Sequence, residues 1–192
     1  VFLTPTFTKF DGAASPTTAL SPVLDRLAVR YFVFDPGAKP IGTEASIGAA
    51  AGQVSLLDGQ SVEVKVPAQA LRGVGPVLAA AVAQPAAPFA RIDVQVLSQN
   101  GAALAQSSRR LFTGVGGSAP FYVALPGENL AAAGGPVRVR LTLHSAGGRI
   151  SIATTKAGTP VLAVVRPKAD LLRLVFADDG AVIYQRLAAL PR

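Results

Sequence analysis

Short apolar runs that alternate with polar residues, each cut off by Gly or Pro within about ten residues, limit most strongly how this chain can fold. Val62, Val64 and Val66 interleave with Glu63 and Lys65. Ile92, Val94 and Val96 interleave with Arg91, Asp93 and Gln95, and Val137, Val139, Leu141 and Leu143 with Arg138, Arg140, Thr142 and His144. A period of two places each apolar set on one face of a strand, so these segments read as half-buried β-strands. With 19 Gly and 15 Pro in 192 residues, few windows run unbroken for the ~12 residues a buried helix needs.

The same reading supplies further strands. Ala90 to Leu111 forms a hairpin turning at Asn100-Gly101, the strongest two-residue hairpin signal. Phe121 to Leu125, Ile150 to Thr154 after the Gly147-Gly148 turn, and Val161 to Val165 complete a set, with Pro76 to Gln84 a weaker member because of its alanines. Short strands at this spacing predict a mainly β chain whose residues 60–167 form an antiparallel, jelly-roll-like β-sandwich. Residues 36–60, rich in Gly, Ala and Ser, read as the connection into that lobe.

Residues 1–59 and 168–192 are expected to form a small α+β base. Ser21-Pro22 offers an N-cap followed by Pro at the first helical position, so a short helix is predicted to about Ala28. Val29 to Phe34 then reads as a strand covered on both faces. At the other end, apolar runs flank Asp178-Asp179-Gly180 and predict a terminal hairpin. Pairing of Val29–Phe34 with that hairpin would make the sandwich an insertion closed at its base.

Charged residues are 15% of the chain, against roughly 25% in an average soluble domain. Lys and Arg exceed Asp and Glu by 18 − 11 = 7, which invites anionic partners, an anionic membrane surface or an anionic glycan before others. The basic residues stand singly, apart from Arg109-Arg110, and aromatic residues are 6%. No basic-aromatic platform or recognition helix is visible, so nucleic acid is not an expected partner. Without cysteine, disulfides and thiolate metal sites are excluded. No apolar run reaches the ~18 residues of a membrane span, and the chain begins without Met, which suggests a domain of a larger protein.

Catalytic chemistry finds little support. His144, the one histidine, stands beside Ser145, but a Ser–His pair needs an orienting acid and an oxyanion hole, and no Gly-x-Ser-x-Gly motif occurs. Gly114 to Ala119 has the letters of a dinucleotide fingerprint, yet Pro120 and a strand-like run follow where a helix must open. Asp178 and Asp179 are adjacent in a tight turn and cannot flank a glycosidic bond. No metal site or cofactor is implied. Sugar binding needs an aromatic ring to stack on the pyranose and polar groups to orient hydroxyls. Phe121, Tyr122, Arg138, Arg140 and His144 would supply both where their strands are neighbours. Tyr31 and Tyr184 read as structural members of the base.

Two stretches carry a family resemblance. LDRLAVRYFVFDP, from Leu24, resembles the leucine-rich helix and following strand of the YfhO-type bacterial membrane proteins. LRLVFADDGAVIYQRLAALPR, from Leu172, is similar to their segment ending in an isoleucine-tyrosine pair and a final Pro-Arg. Gln185-Arg186 stands where that family usually has Glu-Asn. The resemblance covers residues 20–36 and 170–192. It implies a multi-pass parent similar to polyprenyl-phosphate-sugar-dependent glycosyltransferases, with this chain as an extracytoplasmic, non-catalytic portion tethered by flanking membrane helices. Acceptor-glycan binding, or a lid over the membrane site, is the implied role, with a cell-envelope glycan or lipid-linked sugar as partner. A structural or protein-interaction module of a cell-envelope complex is the alternative.

Overall fold

The structure, a computed structural model, describes residues 30–34, 40–67, 73–76, 89–112, 121–126, 135–166, 172–178 and 181–187. The short helix expected from Ser21, the Gly114–Ala119 loop and Asp179-Gly180 lie outside these residues, as does Pro76–Gln84 beyond its first position. The chain is mainly β. Among the described residues the strands are β1 Tyr31–Phe34, β2 Thr43–Ile47, β3 Gly52–Leu57, β4 Ser61–Val66, β5 Gly73–Pro76, β6 Phe89–Leu97 and β7 Ala103–Phe112. They continue with β8 Val123–Ala124, β9 Val137–Ser145, β10 Arg149–Thr154, β11 Leu162–Arg166, β12 Leu172–Ala177 and β13 Val182–Arg186.

Every pairing between these strands is antiparallel; β6–β7 and β12–β13 join consecutive strands, and the other pairs join strands distant in sequence. A four-stranded sheet in the order β4-β9-β6-β7 contains the three strongest alternating segments. Their apolar positions all turn to one side: Val64, Val66, Ile92, Val94, Val96, Val139, Leu141 and Leu143 belong to one core. The opposing layer is made by β2-β11-β5-β8 and by the β10-β3 pair, which contribute Leu56, Phe121, Val123, Leu125, Ile150, Ile152, Leu162 and Val164 to the same core. This is an antiparallel β-sandwich. Its two layers are held by burial of apolar side chains, each worth about 1.5–3 kcal/mol.

A third sheet, β1-β13-β12, brings the two ends of the described chain together. Phe32 faces Tyr184 across the β1–β13 pair, and Phe32, Leu172, Leu174, Val182 and Tyr184 form a second core that also receives Ala124 of β8. The Tyr184 hydroxyl accepts a hydrogen bond from the Ile41 N–H at 2.9 Å, and the Ser107 hydroxyl donates to the Ala177 carbonyl at 3.3 Å. These contacts fasten the terminal sheet to the sandwich.

Three local expectations need correction. Residues 36–60, read as a connection, contain β2 and β3, which pair with β11 and β10. β1 is covered on one face only, because it is the edge of a sheet packed on one side: Phe32 is buried while Tyr31 and Val33 are more than half exposed. The Asn100-Gly101 turn is longer than two residues. Gly101 N–H bonds the Ser98 carbonyl at 3.1 Å and Ser98 N–H bonds the Ala102 carbonyl at 2.8 Å, so Gln99, Asn100 and Gly101 form a three-residue loop. Gly101, at φ 86°, occupies the left-handed position with which such a loop ends.

Candidate functional site

The core takes one face of the β4-β9-β6-β7 sheet, so the alternate residues form an outward polar face, and the strand register arranges them in rows. Lys65 lies opposite Arg138, and Glu63 opposite Arg140, which in turn opposes Gln95. Ser61 opposes Thr142, which opposes Asp93, and His144 opposes Arg91. Gln106, Ser108 and Arg110 extend the last three rows onto β7. Lys65, Arg91, Arg110, Arg138 and Arg140 thus share a face with only two acids, Glu63 and Asp93.

Both acids are held by cations. Glu63 receives Arg140 Nη2 at 2.6 Å and Arg138 Nη1 at 3.2 Å. The hydrogen bond from Arg140, aided by the charges of Arg140 and Arg138 and opposed by burial, holds the Glu63 carboxyl below its usual value. Asp93 binds Arg91 Nε through Oδ1 at 2.8 Å and His144 Nε2 through Oδ2 at 3.0 Å. The hydroxyls of Ser61 and Thr142 are 2.8 Å apart, so the middle of the face is a hydrogen-bonded lattice.

The five residues expected to form a sugar site separate into two groups. Arg138, Arg140 and His144 share the outward face of β9, but β8, next to Phe121 and Tyr122, pairs with β5 rather than β9. Phe121 and Tyr122 are both buried. Phe121 belongs to the sandwich core, and the Arg109 guanidinium lies 4.0 Å from its ring centroid while donating to the Tyr122 carbonyl at 2.8 Å. Tyr122 packs with Ala163 and Val165 on the other side of the layer, its hydroxyl buried without a hydrogen-bond partner among the described residues. Neither ring is placed to stack on a pyranose.

His144 does have a carboxylate neighbour in Asp93, yet no serine nucleophile joins them at position 145. Consecutive strand residues point to opposite faces, and Ser145 is buried with its hydroxyl donating to the Gly148 carbonyl at 2.9 Å. Its own N–H is fixed by Asp58 at 2.7 Å. No group of three or more His, Asp or Glu capable of holding a metal occurs among the described residues, and none of their helices is long and apolar enough to cross a membrane.

The sequence marked Glu63, Lys65, Arg91, Asp93 and Gln95 as outward-facing by their period of two. Which of them meet Arg138, Arg140 and His144 depends on the register between strands distant in sequence, and no local pattern encodes that. At one end of the face, Lys65, Gln99, Pro136, Val137 and Arg138 line an open cleft of about 370 Å³. At the other side, Arg91, Asp93, Gln95, Gln106 and Ser108 border a depression of about 300 Å³ that reaches Ala177 and Asp178 of the terminal sheet.

No family model and no curated protein matches the chain. Among solved structures, it is similar to the VP2 subviral particle of infectious bursal disease virus, at a TM-score of 0.32 and 14% identity over 77% of this chain and 40% of that one. The structure of the Gx strain of the same virus gives a TM-score of 0.30 and 13% identity, covering 77% and 39%. The virus's T13 particle gives 0.28 and 11%, covering 81% and 38%. The chain spans about two fifths of the length of these viral chains.

Proposed function

We propose that this chain is a non-catalytic, extracytoplasmic domain of a membrane-embedded, glycosyltransferase-like protein, where it contributes acceptor-glycan binding. The observation that carries this reading is the terminal sheet. The two stretches that resemble YfhO-type proteins lie far apart in sequence, yet Tyr31–Phe34, Leu172–Ala177 and Val182–Arg186 are strands of one sheet with one core. A hydrophobic core shared by the two segments that carry the resemblance supports reading them as one unit into which the sandwich is inserted.

The exposed side of that sheet supports a tethered role. Val33, Ile183 and Phe176 form a cross-strand row, and Tyr31, Val33, Phe176 and Leu187 supply all but one of the exposed large hydrophobic side chains among the described residues. An apolar face of this kind suits contact with another part of a larger protein beside the bilayer. The polar face of the sandwich, with its forked guanidiniums, hydroxyls and amides, suits sugar hydroxyls and acidic groups instead.

Cell fractionation of the native protein tests the tether. The domain should sediment with membranes and be cut by protease added outside intact spheroplasts. Recovery in the cytoplasmic fraction, protected from that protease, would refute the reading.

A further inference from the structure

The cleft at the end of the polar face has a feature that the fold does not need. Lys65 and Arg138 are direct cross-strand partners, and like charges placed opposite each other on antiparallel strands are destabilising. Elsewhere on the face a carboxylate answers such crowding: Glu63 sits between Arg138 and Arg140. Beside Lys65 none does. Among the described residues Lys65 forms no ion pair, and Arg138, although it gives Nη1 to Glu63, keeps its Nε buried without a hydrogen-bond partner. A lysine with no anion of its own, set at the mouth of a cleft against an arginine whose one carboxylate, Glu63, is shared with Arg140, is the kind of local conflict that marks a functional site.

The remaining walls indicate what the anion is attached to. Gln99 contributes a carboxamide, able to donate and accept, and Pro136 an apolar surface. A Cβ on Gly135 would stand 2.8 Å from the Gln99 Nε2, so glycine there makes room for the amide to lie against the backbone. About 370 Å³ is at the small end of the ligand-cavity range, enough for one sugar unit with its neighbours left in solvent. A lipid surface is the poorer match, because the exposed large hydrophobics among the described residues are Tyr31, Val33, Leu57, Phe176 and Leu187 and none of them lines the cleft.

Resting on the glycan-binding reading above, we propose that this cleft binds a uronic-acid unit of an acidic glycan, with Lys65 and Arg138 clamping the carboxylate and Gln99 meeting a ring hydroxyl. A carboxylate fits because the same face already seats that of Glu63 between two guanidiniums, Arg138 and Arg140. Charge-assisted bonds of this type are about twice as strong as neutral ones, so the acid group carries most of the discrimination.

The test is an NMR titration of the whole chain with trigalacturonate and with galactotriose, repeated for Lys65→Gln. Trigalacturonate should shift the amides of Lys65, Gln99 and Arg138, bind more weakly as salt rises, and lose about tenfold in affinity in Lys65→Gln. Lys65→Gln should also be no less stable than the parent without ligand, since it relieves the repulsion; a purely structural lysine would give the opposite. Equal binding of both trisaccharides, or shifts away from the cleft, overturns the uronate assignment while leaving glycan binding intact. Failure of both trisaccharides, and of other envelope saccharides, removes glycan binding itself. Inorganic phosphate occupying the cleft as tightly as trigalacturonate, or Lys65-dependent capture by phosphatidylglycerol vesicles in its place, also overturns it.

Discussion

Two buried tyrosines offer the same chemical change with opposite expected signs. Replacing Tyr184 by Phe keeps the ring against Phe34, which it meets edge-on at 5.7 Å between centroids, but deletes the hydroxyl that accepts the Ile41 N–H at 2.9 Å. Removing that acceptor from a part-buried amide costs about 1–2 kcal/mol, which lowers Tm by roughly 2–8 °C for a chain of this length. Tyr122 is 6% exposed, and its hydroxyl has no partner among the described residues. There the hydroxyl is a desolvated group without compensation, so Tyr122→Phe should leave stability unchanged or raise it by up to about 1 kcal/mol. Urea unfolding followed by circular dichroism reads both effects as shifts in midpoint at constant slope. Ring packing is retained in each variant, so the difference isolates the hydroxyl. Equal losses in the two variants, or a loss above about 1 kcal/mol in Tyr122→Phe, would refute the argument that hydrogen bonding decides the sign.

Other outcomes follow from the polar face and its turns. Because the Glu63 carboxyl is held below its ordinary 4.5, its contribution is fully present above that value and is lost as pH falls through the lower folded-state value. The partners are about a third exposed or more, so wild type should exceed Glu63→Gln by less than about 1 kcal/mol at neutral pH. The gap should close on acidification, and a gap that widens on acidification would reverse the sign of the linkage. Asp58→Ala should cost about 1 kcal/mol, since the Asp58 carboxylate holds the Ser145 N–H at 2.7 Å where the turn between β3 and β4 meets the end of β9. Hydrogen exchange should then quicken at the Ser145 amide, and an unchanged rate there would count against this anchoring.

The strands legible in the sequence are those whose one face is buried and whose other is wet. β4, β6 and β9 have unbroken alternation because the core and the solvent sort residues with a period of two. β2 and β3 were hidden for the same physical reason. Their patterns in the fold are mostly exposed, and β3 has Leu56 as its one fully buried residue, so Thr43–Leu57 resembles a loop in composition. The long-range pairing of β1 with β13 was readable from two matched terminal segments, whereas the exposure of Tyr31 and Val33 was not, since an apolar strand looks alike in the middle and at the edge of a sheet. The site divided in the same way. His144, Arg138 and Arg140 were visible as outward positions on one strand, while Phe121 and Tyr122 were misplaced beside them because β8 joins the opposite layer.

The acids on the sandwich face change what a net charge of +7 means. Were the five Lys and Arg side chains of that face all open, any polyanion would be attracted, and nucleic acid would compete with every other ligand. Glu63 instead engages two of them and Asp93 a third. Each carboxylate also fixes the rotamers of its arginines, which spares a ligand the ordering cost that flexible side chains would impose at binding. Neutralisation in the middle of the sheet leaves Lys65, at its end beside Arg138, without an ion pair among the described residues. On the uronate proposal, that subtraction is what would favour a single acidic group on a polar, hydroxyl-rich ligand over long, uniformly charged strands.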